Sequence, residues 1–145
     1  SRKYVVNGGK SKMRVMLDTN ILISAIIFRS KVMNDIIKSL ASKHSLVLCS
    51  YVVAELRDVV KVKFPSKVEY IEIFLVNLPF EYFYTPEPIP EHHLFKIRDK
   101  DDEAVLYSAI TADVDVLITG DKDFTDIEIE RPEILTPSKF LEKYV

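Results

Sequence analysis

Three short apolar runs in this chain are continuous rather than alternating: Arg14-Val-Met-Leu-Asp18, Leu46-Val-Leu-Cys49 and Val116-Leu-Ile-Thr119. A strand with one wet face alternates in polarity, whereas a short continuous run is buried on both faces, as in a parallel sheet covered by helices. Between the runs the period changes. Val32, Ile36, Ile37 and Leu40 follow helical spacing, after an apolar stretch from Asn20 to about Phe28. Ser50 reads as the N-cap of a helix from Tyr51 to about Lys63; Pro65 and Ser66 break it, and another runs from Lys67 to Leu78. Lys100–Ala112 is a further helix, and Thr136-Pro137 is a cap and first residue for a last one reaching about Tyr144. Glu81–Tyr84 and part of Ile127–Leu135 read as short strands, and Thr85–Pro90, with three prolines, as an extended loop. This alternation predicts the α/β class, a three-layer α/β/α sandwich around a central, mostly parallel sheet. A length of 145 residues suits one domain, expected over residues 13–145, with 1–12 a basic N-terminal extension or a cloning remnant.

Scarce residue types remove whole classes of function. Cys49 is the only cysteine, so a disulfide scaffold is excluded. The three glycines, Gly8, Gly9 and Gly120, cannot build a P-loop or a dinucleotide-binding turn, so no nucleotide cofactor is expected. His44, His92 and His93 stand at no zinc spacing. No apolar run approaches the roughly 20 residues of a membrane span, and Ser1–Lys12 is polar and basic, unlike a signal peptide. A cytoplasmic location is expected. The net charge of −2 hides an asymmetry: residues 1–67 hold 13 Lys/Arg against 4 Asp/Glu, and residues 68–145 hold 7 against 18. Either the fold mixes these charges over its surface, or a basic face for a polyanion lies beside an acidic pocket that wants a cation.

Parallel sheets of this kind place their ligand crevice outside the carboxyl ends of the strands. Asp18 closes the first run and Asp121 follows the last, so both belong at that crevice. Asp102 heads the apolar stripe of its helix, with Val105, Leu106 and Ala109 at offsets of three, four and seven, while Asp101 and Glu103 turn about 100° to either side. Glu55 borders the stripe of Val52, Val53, Leu56, Val59 and Val60. Each acid alone has an ordinary reading as a cap, a first-turn acid or a surface charge. Together they would repel one another, and a divalent cation relieves that. An oxygen-only donor set suits Mg²⁺ or Mn²⁺, as one ion or two. Thr19, Asn20 and Thr119 are candidates to orient the carboxylates. Asp99 and Asp123 are either further ligands or rim charges.

Leu17-Asp-Thr-Asn20, Glu55 within Val53-Ala-Glu-Leu56, Asp99-Lys-Asp-Asp102-Glu103 and Leu117-Ile-Thr-Gly-Asp-Lys-Asp-Phe124 together resemble the PIN domain. More narrowly, they resemble the VapC-like toxin components of toxin–antitoxin pairs, over about residues 13–145. The resemblance implies a metal-dependent endoribonuclease in which Asp18, Glu55, Asp102 and Asp121 are the catalytic and metal-binding acids and a metal-activated water attacks an RNA phosphodiester. It also implies a protein antitoxin that covers the site, and a possible homodimer; Phe80, Tyr82, Phe83 and Tyr84 are either a partner surface or core. Arg57, Lys61, Lys63 and Lys67 are candidates for holding the RNA backbone, or a solvated helix face. A receiver-like phosphoacceptor fits poorly, because Asp18 stands alone rather than beside a second acid and Thr85-Pro86 follows Tyr84 where that fold needs an Asp. The alternatives retained are a non-catalytic metal- or RNA-binding module of the same fold and a structure-specific DNA nuclease.

Overall fold

The computed structural model describes the backbone at residues 5–7 and 10–11 and the whole of residues 12–87, 97, 99–124 and 127–145. An antiparallel hairpin, β1 (Val5–Asn7) and β2 (Lys10–Lys12), precedes β3 (Arg14–Leu17). The chain continues through α1 (Thr19–Ile26), α2 (Lys31–Lys43), β4 (Ser45–Cys49), α3 (Ser50–Lys63), α4 (Val68–Asn77) and β5 (Glu81–Phe83). It ends with α5 (Lys100–Thr111), β6 (Val116–Ile118), β7 (Glu133–Leu135) and α6 (Pro137–Tyr144). Short 3₁₀ turns occupy Pro65–Lys67 and Lys122–Phe124. His92, His93 and the 88–90 part of the expected proline loop lie outside the described residues.

Five strands form one sheet in the order β5-β4-β3-β6-β7, and every pairing in it is parallel. The three continuous apolar runs are its three central strands, with Val15, Met16, Leu17, Val47, Leu48, Leu117 and Ile118 fully buried. Helices cover both faces, giving the three-layer α/β/α sandwich. From β3 the chain steps outward to β4 and then β5. It afterwards crosses back to β6 on the other side of β3. With right-handed crossovers this reversal sends the later connection to the opposite face. It also opens a crevice beyond the carboxyl ends of β3 and β6, where the connections leaving the two strands part.

One local expectation is corrected. Ser50 is not an N-cap: β4 runs straight into α3, so the cap position falls on Cys49, which makes no side-chain cap bond. Thr85 serves instead. Its Oγ1 accepts from Tyr51 N at 3.2 Å, and its own N–H donates to Ser50 Oγ at 2.9 Å. The edge strand is confined to Glu133–Leu135, because Pro132 ahead of it has no N–H for the ladder. Thr136 does cap α6, accepting from Lys139 N at 3.2 Å. Phe80 and Phe83 pack partly buried against the core, whereas Tyr82 and Tyr84 are exposed, their rings edge-to-face with centroids 4.8 Å apart. Among the described residues no helix is long and apolar enough to cross a membrane.

Candidate active site

Asp18 leaves β3 in an extended conformation and caps α1. Its backbone N–H donates to Ile118 O at 3.1 Å, which ties the crevice end of β3 to β6. The side chain is 4% exposed. Its Oδ1 accepts from Thr19 N at 2.6 Å and its Oδ2 from Thr119 Oγ1 at 2.7 Å. Thr119 is fixed in turn, its N–H donating to Leu135 O at 2.9 Å while its Oγ1 accepts from Asp121 N at 3.1 Å. One buried hydroxyl thus joins the acid after β3 to the loop after β6. Burial pushes the Asp18 carboxyl above its ordinary range; the bonds from Thr119 and Thr19 pull it down, and the charges of Asp121 and Asp99 push it up.

The start of α5 faces the same crevice. Asp99 is its N-cap, exposed, with Oδ1 accepting from Asp101 N at 2.8 Å. Asp102 lies on the buried stripe, 7% exposed. Among the described residues, its Oδ2 is the one buried side-chain oxygen or nitrogen with no hydrogen-bond partner. Carboxylate oxygens of Asp102, Asp121 and Asp123 lie within 4.8 Å of one another. Asp123 sits in the 3₁₀ turn, its N–H donating to Asp121 Oδ1 at 2.8 Å. The Asp102 carboxyl is pushed up to about 8, first by burial, then by its hydrogen bond with Asp121 and by the charges of Asp121, Asp18 and Asp99. A buried carboxylate oxygen without a partner is costly. A hard divalent cation is the ligand that satisfies such an oxygen beside two other carboxylates.

Glu55 reaches the crevice from α3. It is half-buried, and its Oε1 accepts a hydrogen bond from Thr19 Oγ1. Burial raises its proton affinity, the Thr19 bond opposes this, and Asp101 and Asp18 add to it. Asp101 is itself a neighbour here and accepts from the Tyr51 hydroxyl. Burial, followed by that bond and the surrounding acids, holds the Tyr51 phenol well above its ordinary value. Neither Tyr51 nor Asp101 was among the sequence candidates. The available signal was the spacing of Tyr51 and Glu55, four apart on one helix face.

The expected acids therefore stand in two adjoining groups. Asp102, Asp121 and Asp123 form one; Asp18, Thr19, Glu55, Asp101 and Tyr51 form the other, and Thr119 links them. Asn20 is exposed on α1. The four basic candidates lie elsewhere. Arg57 makes two 2.9 Å bonds to Glu72 on α4. Lys67 Nζ stands 5.6 Å from the centroid of the Tyr70 ring. Lys61 and Lys63 are exposed in the last turn of α3, about 9 Å or more along the axis from Glu55 at 1.5 Å per residue.

Sequence and structure comparisons agree with this fold. A family model described as the PIN domain matches residues 14–123. No curated protein matches the chain by sequence. Among solved structures, the chain is similar to VapBC2 from Rickettsia felis bound to a DNA fragment from their promoter. That match has a TM-score of 0.64 and 24% identity, covering 85% of this chain and 97% of the other. It is also similar to VapBC-1 from nontypeable Haemophilus influenzae (TM-score 0.58, 20% identity, 88% and 100% covered). A third is DNA-bound VapBC from Salmonella typhimurium (TM-score 0.62, 15% identity, 86% and 98% covered). At these identities the likeness is one of fold.

Proposed function

Because the chain belongs to the PIN domain family, we propose that it is a metal-dependent endoribonuclease, the toxin of a toxin–antitoxin pair. The observation that carries this reading is the buried, unpartnered Oδ2 of Asp102 beside the carboxylates of Asp121 and Asp123. That donor set is all oxygen, which fits Mg²⁺ or Mn²⁺. Asp102, Asp121 and Asp123 would hold the cation, with Asp18 and Glu55 available for it or for a second one. Bound there, the cation neutralises the carboxylates and acidifies a water for attack on phosphorus.

The chain's own groups have separable tasks. Thr119 and Thr19 fix the Asp18 carboxylate from two sides, so it presents one orientation to the crevice. Glu55, half-buried and of raised proton affinity, suits the task of accepting a proton during the attack. The solved structures it resembles are named VapBC, which supports a protein antitoxin as its partner.

The test is cleavage of a mixed RNA pool and a single-stranded DNA pool with Mg²⁺, Mn²⁺ or EDTA, alongside Asp18→Asn. The expected outcome is loss of RNA that needs metal and falls to background in the variant, with unchanged circular dichroism. An active Asp18→Asn protein would remove the site assignment. Inert wild-type protein that still binds Mn²⁺ would leave a non-catalytic binding module of the same fold.

A further inference from the structure

Asp121 has a second neighbour besides the acid cluster. It lines a cavity of about 240 Å³ whose walls include Phe124, Ile127, Ile129 and Ile134, with Lys139, from the first turn of α6, also lining it. Its lining runs from Thr119 and Asp121, which follow β6, to Pro132, just ahead of β7, and Ile134 and Leu135 on it, so one side of it borders the crevice where the acids gather. Its lining sets these apolar side chains among the polar groups of Thr119, Thr136, Asp121 and Lys139, and it borders the acid cluster. A small cavity that sets apolar side chains among several polar groups is the form of a site for a ring compound.

We propose that this cavity receives one unstacked nucleobase of the RNA, from the nucleotide next to the scissile phosphate; the proposal rests on the nuclease reading above. Proteins that read single-stranded RNA splay a base out and seat its faces on apolar or aromatic side chains. A base and its phosphate are separated by one sugar, and here the cavity lining and the acid cluster share Asp121. Lys139 offers donors only, so it selects a base edge that carries acceptors, as in guanine or uracil. The cavity thereby sets both the register of the strand over the acids and a preference for a keto base.

The experiment is single-turnover cleavage of a short RNA containing the mapped cut, intact or with an abasic nucleotide at each flanking position in turn. It is run on wild type, Ile129→Trp and Lys139→Ala, with Mn²⁺ binding measured on each protein. One abasic position is expected to slow wild-type cleavage roughly tenfold or more. Ile129→Trp fills the cavity and is expected to slow cleavage of intact RNA by a similar factor, with no further loss on the abasic RNA. Lys139→Ala is expected to flatten the preference for guanine or uracil. Mn²⁺ binding stays at the wild-type level throughout. Equal cleavage of intact and abasic RNA by all three proteins overturns the cavity assignment and leaves the nuclease reading standing. A wild-type protein that cuts no RNA overturns both. Lys139 is at an exposed helix position, so Lys139→Ala decides the question should Ile129→Trp fail to fold.

Discussion

A threonine hydroxyl has one proton to give, and that of Thr119 is given to Asp18. The same oxygen accepts from Asp121 N, so its direction is fixed at both ends. Thr119→Val keeps the shape and removes the bond. It is expected to lower Mn²⁺ affinity and RNA cleavage about 10- to 100-fold, while Thr119→Ser restores most of both; titration calorimetry and a cleavage assay read this. A second prediction concerns Asp102. Its carboxyl is raised to about 8 in the folded, metal-free protein, against an ordinary value near 3.9 when unfolded. Between those values the folded state binds the extra proton, so stability is greatest at the acid end and falls as pH rises toward 8. Asp18 and Glu55, also raised, act in the same direction. In EDTA, Asp102→Asn should therefore raise the melting temperature at pH 8 and lose that gain near pH 4, as differential scanning calorimetry would show. The inward position of Asp102 was legible in the sequence because its offsets to Val105, Leu106 and Ala109 are fixed by one helix. The pairing of Asp101 with Tyr51 was not, because it depends on how the start of α5 approaches the start of α3.

At the scale of elements, Thr85 ties together what the sequence kept apart. Besides receiving Tyr51 N at the start of α3, its Oγ1 accepts from Ser108 Oγ on α5 at 2.9 Å. Thr85→Val takes that partner from Tyr51 N, while Ser108 Oγ keeps its 2.8 Å bond to Ala104 O, and is expected to cost about 1–3 kcal/mol, measured by urea denaturation. The Arg57–Glu72 pair joins α3 to α4 in a half-exposed setting. A double-mutant cycle there should give no more than about 1 kcal/mol, and RNA binding should be insensitive to Arg57→Ala because the guanidinium is already engaged. The central strands were legible for a simple reason: burial on both faces removes alternation, and a continuous apolar run has few other readings. The Ser50 cap was misread because a strand-to-helix junction with no intervening turn moves the cap back one residue, onto Cys49.

At the scale of the molecule, the sheet order β5-β4-β3-β6-β7 decides where chemistry is possible. The sequence could say that Asp18 and Asp121 each follow a strand. It could not say that those two strands are adjacent, because strand order is settled by crossovers spanning about a hundred residues. The asymmetry of charge along the chain was legible as well, but the fold pairs part of it off: Arg14 on β3 reaches Glu81 on β5, and Arg57 on α3 reaches Glu72 on α4. The acids themselves come from four separate stretches, near residues 18, 55, 102 and 121. A ribosome that has polymerised everything up to Thr119 has still made none of the Asp121 loop, and a protease that severs the chain between any two of these stretches divides the cluster. If the acids are what makes this protein harmful to RNA, then a copy halted before the Asp121 loop is harmless, and activity requires a chain made past that loop and folded.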